Sequence, residues 1–134
     1  MKNRIKIVKN YVPFAQVWVY GNEIGQVILN LLTNAVDSIK DRGQIEIITE
    51  NRGYFIFISI KDTGMGIADN ILPHIFHPFF TTKHKGRSTG LGLYTSQEIT
   101  KKHRGRLYVS ETAVGKGTTF NFEVLKETLV NEEI

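Results

Sequence analysis

The sequence contains no cysteine. That absence excludes thiolate nucleophiles, cysteine-ligated metals and a disulfide scaffold, and it is compatible with a reducing compartment such as the cytosol. No apolar run approaches the roughly 20 residues that a bilayer-spanning helix needs, and Met1-Lys2-Asn3-Arg4 is not followed by the apolar stretch of a signal segment. A soluble piece is expected. Internal repeats, low-complexity tracts and linker-like stretches are also missing, so the 134 residues read as one domain over 1–126 followed by a charged tail, 127–134, that frays. Histidine is sparse, and His74, His77, His84 and His103 have no acid-rich ligand set beside them, which argues against a histidine metal site. Basic residues exceed acidic ones by 17 to 13 and bunch at Lys83, Lys85 and Arg87 and again at Lys101, Lys102, Arg104 and Arg106. A polyanionic ligand fits this balance. Nucleic acid is not expected, because the aromatics are not interleaved with the basic residues as stacking platforms.

What is present divides by period. Arg4 to Val8 and Gln16 to Tyr20 are β-prone, so two short strands are expected at the start. From Asn22 to Lys40 the apolar residues Ile24, Val27, Ile28, Leu31, Leu32, Ala35 and Ile39 recur at helical spacing, and Asp41-Arg42-Gly43 supplies a stop. Gln44 to Glu50 and Tyr54 to Lys61 read as a hairpin through Asn51-Arg52-Gly53. The second of these strands is apolar on both faces, which predicts a central position. Asp69 to Ile75 suggests a short helix limited by Pro73 and Pro78, and the stretch from His74 to Thr89, which lacks a period, suggests a mobile lid. Leu91 to Arg104 reads as a second long helix with Leu93, Ile99 and parts of Tyr94 and Thr95 inward, ended near Gly105. Arg106 to Ser110 and Thr118 to Val124 read as a closing hairpin.

Two glycine clusters carry the chemistry. Asp62-Thr63-Gly64-Met65-Gly66 closes the central strand, and Thr89-Gly90-Leu91-Gly92-Leu93 opens the second helix. A carboxylate accepts from a donor edge such as an adenine amine, and the free amides of a helix start hold phosphates. Either cluster alone is compatible with a plain turn. On the first helix Asn30, Asn34 and Asp37 fall on one stripe opposite the apolar face, with Glu23 two turns earlier. Asparagine is a poor choice for a merely solvated helix face. Amide oxygens facing a cleft would suit Mg²⁺ or its waters beside phosphates.

Five segments in order resemble the N, first glycine, F, second glycine and last glycine boxes of bacterial sensor histidine kinases. They are Asn30 to Ala35, Asp62 to Ile67, Phe76 to Lys83, Thr89 to Leu93 and Gly115 to Phe120. The resemblance covers about Gln26 to Phe122, the whole catalytic ATP-binding domain of that family. It implies the GHKL or Bergerat fold, an α+β two-layer sandwich whose mixed, mostly antiparallel sheet of about five strands carries three helices on one face.

The resemblance further implies that Asp62 binds the adenine amino group, in a pocket shaped by Gly64, Gly66 and Ile67, with Thr118 helping through water. Asn34 would coordinate Mg²⁺ with assistance from Asn30. Backbone amides around Thr89, Gly90, Leu91, Gly92 and Leu93 would contact the phosphates of ATP, and Lys83, ahead of Lys85 and Arg87, would reach the γ-phosphate from the lid. Phe79 and Phe80 are expected to pack the lid onto the body. Hydrolysing relatives place a glutamate at the position of Asn30, and an amide cannot serve as a general base, so Asn30 and Lys83 as catalytic residues point to phosphoryl transfer.

No histidine sits in the pattern of the family's phosphoacceptor helix. The implied partners are therefore a histidine-containing dimerisation domain of the same protein and a response regulator receiver domain, in a homodimeric, cytoplasmic two-component phosphorelay whose parent is compatible with membrane anchoring. Direct membrane contact of this domain is not implied. A different class, a stand-alone anti-sigma-type serine kinase or regulator of the same fold, is the competing reading. Gly25 and the Tyr20-Gly21-Asn22 entry depart from common forms of the first helix, which touches only its entry geometry.

Overall fold

The computed structural model describes residues 5–11, 21–80 and 91–130. A five-stranded sheet runs in the order β1-β2-β3-β5-β4, with β1 Ile5–Tyr11, β2 Gly43–Arg52, β3 Phe55–Asp62, β4 Arg106–Ala113 and β5 Gly117–Leu125. Edge strand β1 pairs parallel to β2, and every other pairing is antiparallel. Strand β3 is central, as its two apolar faces require. The second early strand expected at Gln16 to Tyr20 lies outside the described residues. The β2–β3 turn falls at Gly53-Tyr54, between the paired Arg52 and Phe55, and not through the expected Asn51-Arg52-Gly53, with Gly53 at φ +65°. A two-residue loop needs positive φ, which glycine supplies.

Among the described residues two long helices cover one face of the sheet: α1 Gly21–Ser38 and α2 Gly92–Lys102. The α1 stripe Ile24, Val27, Leu31, Ala35 and Ile39 is buried, with Ile28 and Leu32 packed at its flank. It meets alternate residues of the strands, Ile45 and Ile47 of β2, Ile56, Ile58 and Ile60 of β3, and Phe120, Phe122 and Val124 of β5. Periods of 3.6 and 2 thus converge on one core.

The three-helix expectation needs correction. Pro73 confines the segment after Asp69 to a single 3₁₀ turn, Leu72–His74, because proline can occupy only the first turn of a helix. A further helical turn, α3 Glu127–Val130, stands where fraying was expected. It is anchored by the Thr128 hydroxyl, which donates to the carbonyl of Leu125 at 2.6 Å.

The end of α2 also differs from its sequence reading. Gly105 follows the helix, but the left-handed residue is Arg104, at φ 56°. Its neighbour is glycine for space: a Cβ on Gly105 would lie 1.7 Å from the carbonyl oxygen of Glu123 on β5.

Candidate nucleotide site

Asp62 ends β3 at the edge of the core and is 3% exposed. Its Oδ1 accepts from the amide of Gly64 at 2.8 Å and from the amide of Thr118 at 3.3 Å. Burial pushes its carboxyl above the ordinary value of 3.8, while the two amides and the Ser38 hydroxyl pull the other way.

The glycines of this segment act by making room. A Cβ on Gly64 would sit 1.8 Å from the Ser38 hydroxyl oxygen, and one on Gly66, at φ +75°, would sit 2.1 Å from the carbonyl oxygen of Ala113. The loop after Asp62 is thereby pressed between the end of α1 and the β4–β5 turn. Met65 donates to the Ser38 hydroxyl at 3.0 Å, Ile67 donates to the Thr112 hydroxyl at 2.9 Å, and Gly115 donates to the Met65 carbonyl at 2.8 Å. Thr118, buried, shares a hydroxyl contact of 2.8 Å with Thr112.

Ser38 and Thr112 are site-building residues that sequence reasoning missed. Ser38 had a signal. It lies four residues beyond Asn34, continuing the i, i+4 row that begins at Asn30.

The polar stripe on α1 divides in two. Its first half does not face an open cleft: Asn30 Nδ2 donates to the Gly92 carbonyl at 3.0 Å and to the Ser96 hydroxyl at 2.9 Å, and Asn30 Oδ1 accepts from Gln26 at 2.9 Å. Glu23 pairs with His103 Nε2 at 2.9 Å and with Lys102 at 2.7 Å. These contacts join α1 to α2. The second half, Asn34 and Asp37, is half-buried and lies beyond the start of α2.

The buried face of α2 differs from its expected one. Ser96, Thr100 and His103 are fully buried, while Leu93 and Ile99 are only partly so. Leu91 occupies the N-cap position, without a side-chain cap hydrogen bond, and Gly92 opens the helix. Lys83, Lys85, Arg87, Thr89 and Gly90 lie outside the described residues. Of the F-segment phenylalanines, Phe80 packs against the core, but Phe79 is 72% exposed and held at φ 68°. An exposed, bulky residue in the left-handed region is strained, and packing on the body does not account for it.

Lys102 first, and then His103, hold the Glu23 carboxyl below its ordinary value of 4.5. A depressed acid stabilises the fold above its unfolded value and loses that contribution as pH falls through the folded one. Acidification below about pH 4.5 is therefore expected to narrow the difference in thermal midpoint between the parent and Glu23→Gln. Melting curves at stepped pH check this, and a difference that stays constant across the range would contradict it.

Residues 20–128 match the family described as histidine kinase-, DNA gyrase B- and HSP90-like ATPases. The chain belongs to that family. Sporulation kinase A of Bacillus subtilis is 39% identical over 106 residues, covering 79% of this chain and 17% of that protein. Sensor histidine kinase ZraS of Escherichia coli K12 is 41% identical over 99 residues, covering 74% of this chain and 21% of that protein. The chain thus spans about a fifth of the length of these curated relatives. Among solved structures, the catalytic domain of histidine kinase ThkA superposes with a TM-score of 0.80 at 31% identity over 93% of this chain and 81% of that one. Full-length ShkA in complex with AMPPNP gives 0.80 at 26% identity over 92% of this chain and 26% of that one. The α+β sandwich expected from sequence is the fold of these catalytic domains.

Proposed function

We propose that this chain is the catalytic ATP-binding part of a sensor histidine kinase, which holds Mg-ATP and presents the γ-phosphate to a histidine on a separate dimerisation and phosphoacceptor domain. The observation that carries the reading is the buried Asp62 carboxylate, fixed by the amides of Gly64 and Thr118 within a fold of the histidine kinase ATPase family. A carboxylate accepts the exocyclic amine of adenine and refuses the carbonyl of guanine at the same place. Gly64, Gly66 and Ile67 shape the pocket beside it, and Thr118 supports the carboxylate from β5.

At the other end, Gly92 and Leu93 begin α2 behind the N-cap Leu91, and the amides of this helix start, with those of Thr89 and Gly90, would suit the phosphates. Asn34 would ligate Mg²⁺, since an amide oxygen is the hard ligand that ion prefers, and Mg²⁺ when bound would neutralise phosphate charge. Asn30 contributes the one carbonyl lone pair that Gln26 leaves. Phosphoryl transfer asks of the protein positioning and charge neutralisation, and Lys83 supplies charge at the γ-phosphate. The domain extends through α3, works in the cytoplasm, and serves a homodimeric parent that passes the phosphoryl group on to a response regulator receiver domain.

Mixing the chain with a separately made phosphoacceptor hairpin and γ-labelled ATP is expected to give acid-labile phosphohistidine on the hairpin. Label that stays in ATP would count against the reading. For the metal, Asn34→Ala is expected to weaken binding of an ATP analogue by about tenfold with Mg²⁺ present and by less than about twofold without it. Equal losses by calorimetry would make Asn34 a structural residue.

A further inference from the structure

The contacts between α1 and α2 have a register. Glu23 meets His103, and Asn30 meets Ser96. Each step is seven residues, 23 to 30 on one helix and 96 to 103 on the other, so the helices run antiparallel with two polar bolts about two turns apart. Between the bolts lies Thr100, fully buried, whose hydroxyl is spent on the Gln97 carbonyl within its own helix. The residues of α2 buried against α1 are thus small or polar. Apolar ridges between helices would tolerate a shift of one turn, about 5.4 Å, whereas this seam would break both bolts at once.

His103 is itself 0% exposed and held at both ring nitrogens, by Glu23 at 2.9 Å and by the Thr128 hydroxyl at 2.9 Å. The Thr128 hydroxyl also donates to the Leu125 carbonyl, so α3 joins the same fastening. The other bolt ends at the Gly92 carbonyl, in the first turn of α2. The helix start is therefore fixed to α1 one turn before Asn34.

We propose that Glu23 and His103 at one bolt, and Ser96, which holds the Asn30 amide, at the other, are positioning residues that set the register of α2 on α1 and thereby the strength with which the phosphates of a nucleotide are held. The proposal rests on the nucleotide reading above. Neither Ser96 nor His103 touches solvent, so neither contacts ligand, and their effect runs only through the placement of the helix start. The adenine end hangs instead on β3 and β5 and does not depend on the seam.

The test separates nucleoside from nucleotide. Adenosine and a non-hydrolysable ATP analogue are titrated into the parent chain, Ser96→Ala and Glu23→Ala, each with and without Mg²⁺. Each variant is expected to lose about tenfold in analogue affinity, the scale of one hydrogen bond, equally with and without Mg²⁺, and to hold adenosine within about twofold of the parent. A variant that loses adenosine and analogue alike shows general loosening and overturns the proposal, as does an analogue affinity unchanged in Ser96→Ala, the milder substitution. Failure of the parent itself to bind the analogue would overturn the nucleotide reading, a result distinct from tight binding that ignores the seam.

Discussion

Asp62→Asn is expected to raise the thermal midpoint of the ligand-free domain at neutral pH while lowering affinity for adenine nucleotides about a hundredfold. The two effects have one cause. Burial raises the carboxyl of Asp62 above 3.8, so the folded protein binds its proton more tightly than the unfolded chain does. The stability from this group is fully present below the unfolded value and is lost as pH rises through the folded one, leaving an ionised, buried carboxylate as a cost at pH 7. Asparagine removes the charge and keeps the contacts: its Oδ1 can accept from Gly64 and Thr118, and its Nδ2 can donate to the Ser38 hydroxyl. The stability gain should therefore shrink as pH falls through the folded value and the parent's carboxyl takes up its proton.

The binding loss follows because the adenine amine would meet a weaker, uncharged acceptor or an opposing amide. A charge-assisted hydrogen bond left unmade costs about 1.5–3 kcal/mol, which brackets a hundredfold. Melting curves with and without nucleotide check both signs. A variant that is less stable in its ligand-free form, or that binds as the parent does, would remove Asp62 from the adenine site.

The largest expected stability loss comes from a residue far from the nucleotide. Gly105→Ala places a Cβ 1.7 Å from the Glu123 carbonyl oxygen and 2.9 Å from the Val124 Cα, both backbone atoms of β5, which no side-chain rotation can clear. Either α2 or β5 must move, and Gly105 also donates to the Thr100 carbonyl at 2.8 Å to finish the helix. A loss of about 3 kcal/mol or more is expected, at the upper end of overpacking penalties. Arg104→Gly should do the reverse by relieving the left-handed conformation at φ 56°, a gain of about 0.5–1 kcal/mol. The Arg104–Glu127 ion pair that it removes is long, at 3.8 Å, and both side chains are largely exposed, so it subtracts little. Denaturant titrations of the two single variants give the comparison. Equal and small shifts would contradict the assigned roles of the two neighbours.

These two residues illustrate what the sequence could and could not tell. Gly105 was legible as the end of a helix, because glycine after a periodic run is a stop. Which of two adjacent residues takes positive φ, and which must lack a side chain, depends on a strand that returns only at Glu123. The stripe Glu23, Asn30, Asn34 and Asp37 was legible in direction, since a helical wheel gives the face of each side chain. It could not give the neighbour. The first half of the stripe meets α2 because Ser96 and His103 present matching groups at matching spacing, and a wheel drawn for one helix cannot see the other. Asp62 was legible as a candidate only through its company, and its burial and clamping amides are tertiary facts. The core periodicities of α1, β3 and β5 translated directly, because burial of one face is what produces those periods.

The β2–β3 turn offers a practical handle. Tyr54 is 84% exposed, at the far end of β3 from Asp62, and Phe55 lies seven strand steps from that acid, about 24 Å. In a chain without cysteine, Tyr54→Cys would create a single thiol for a dye, a spin label or a surface tether. Such a probe would travel with the central strand without reaching the adenine end. The hairpin tip thus provides a fixed origin from which displacements elsewhere in the domain can be measured as distances.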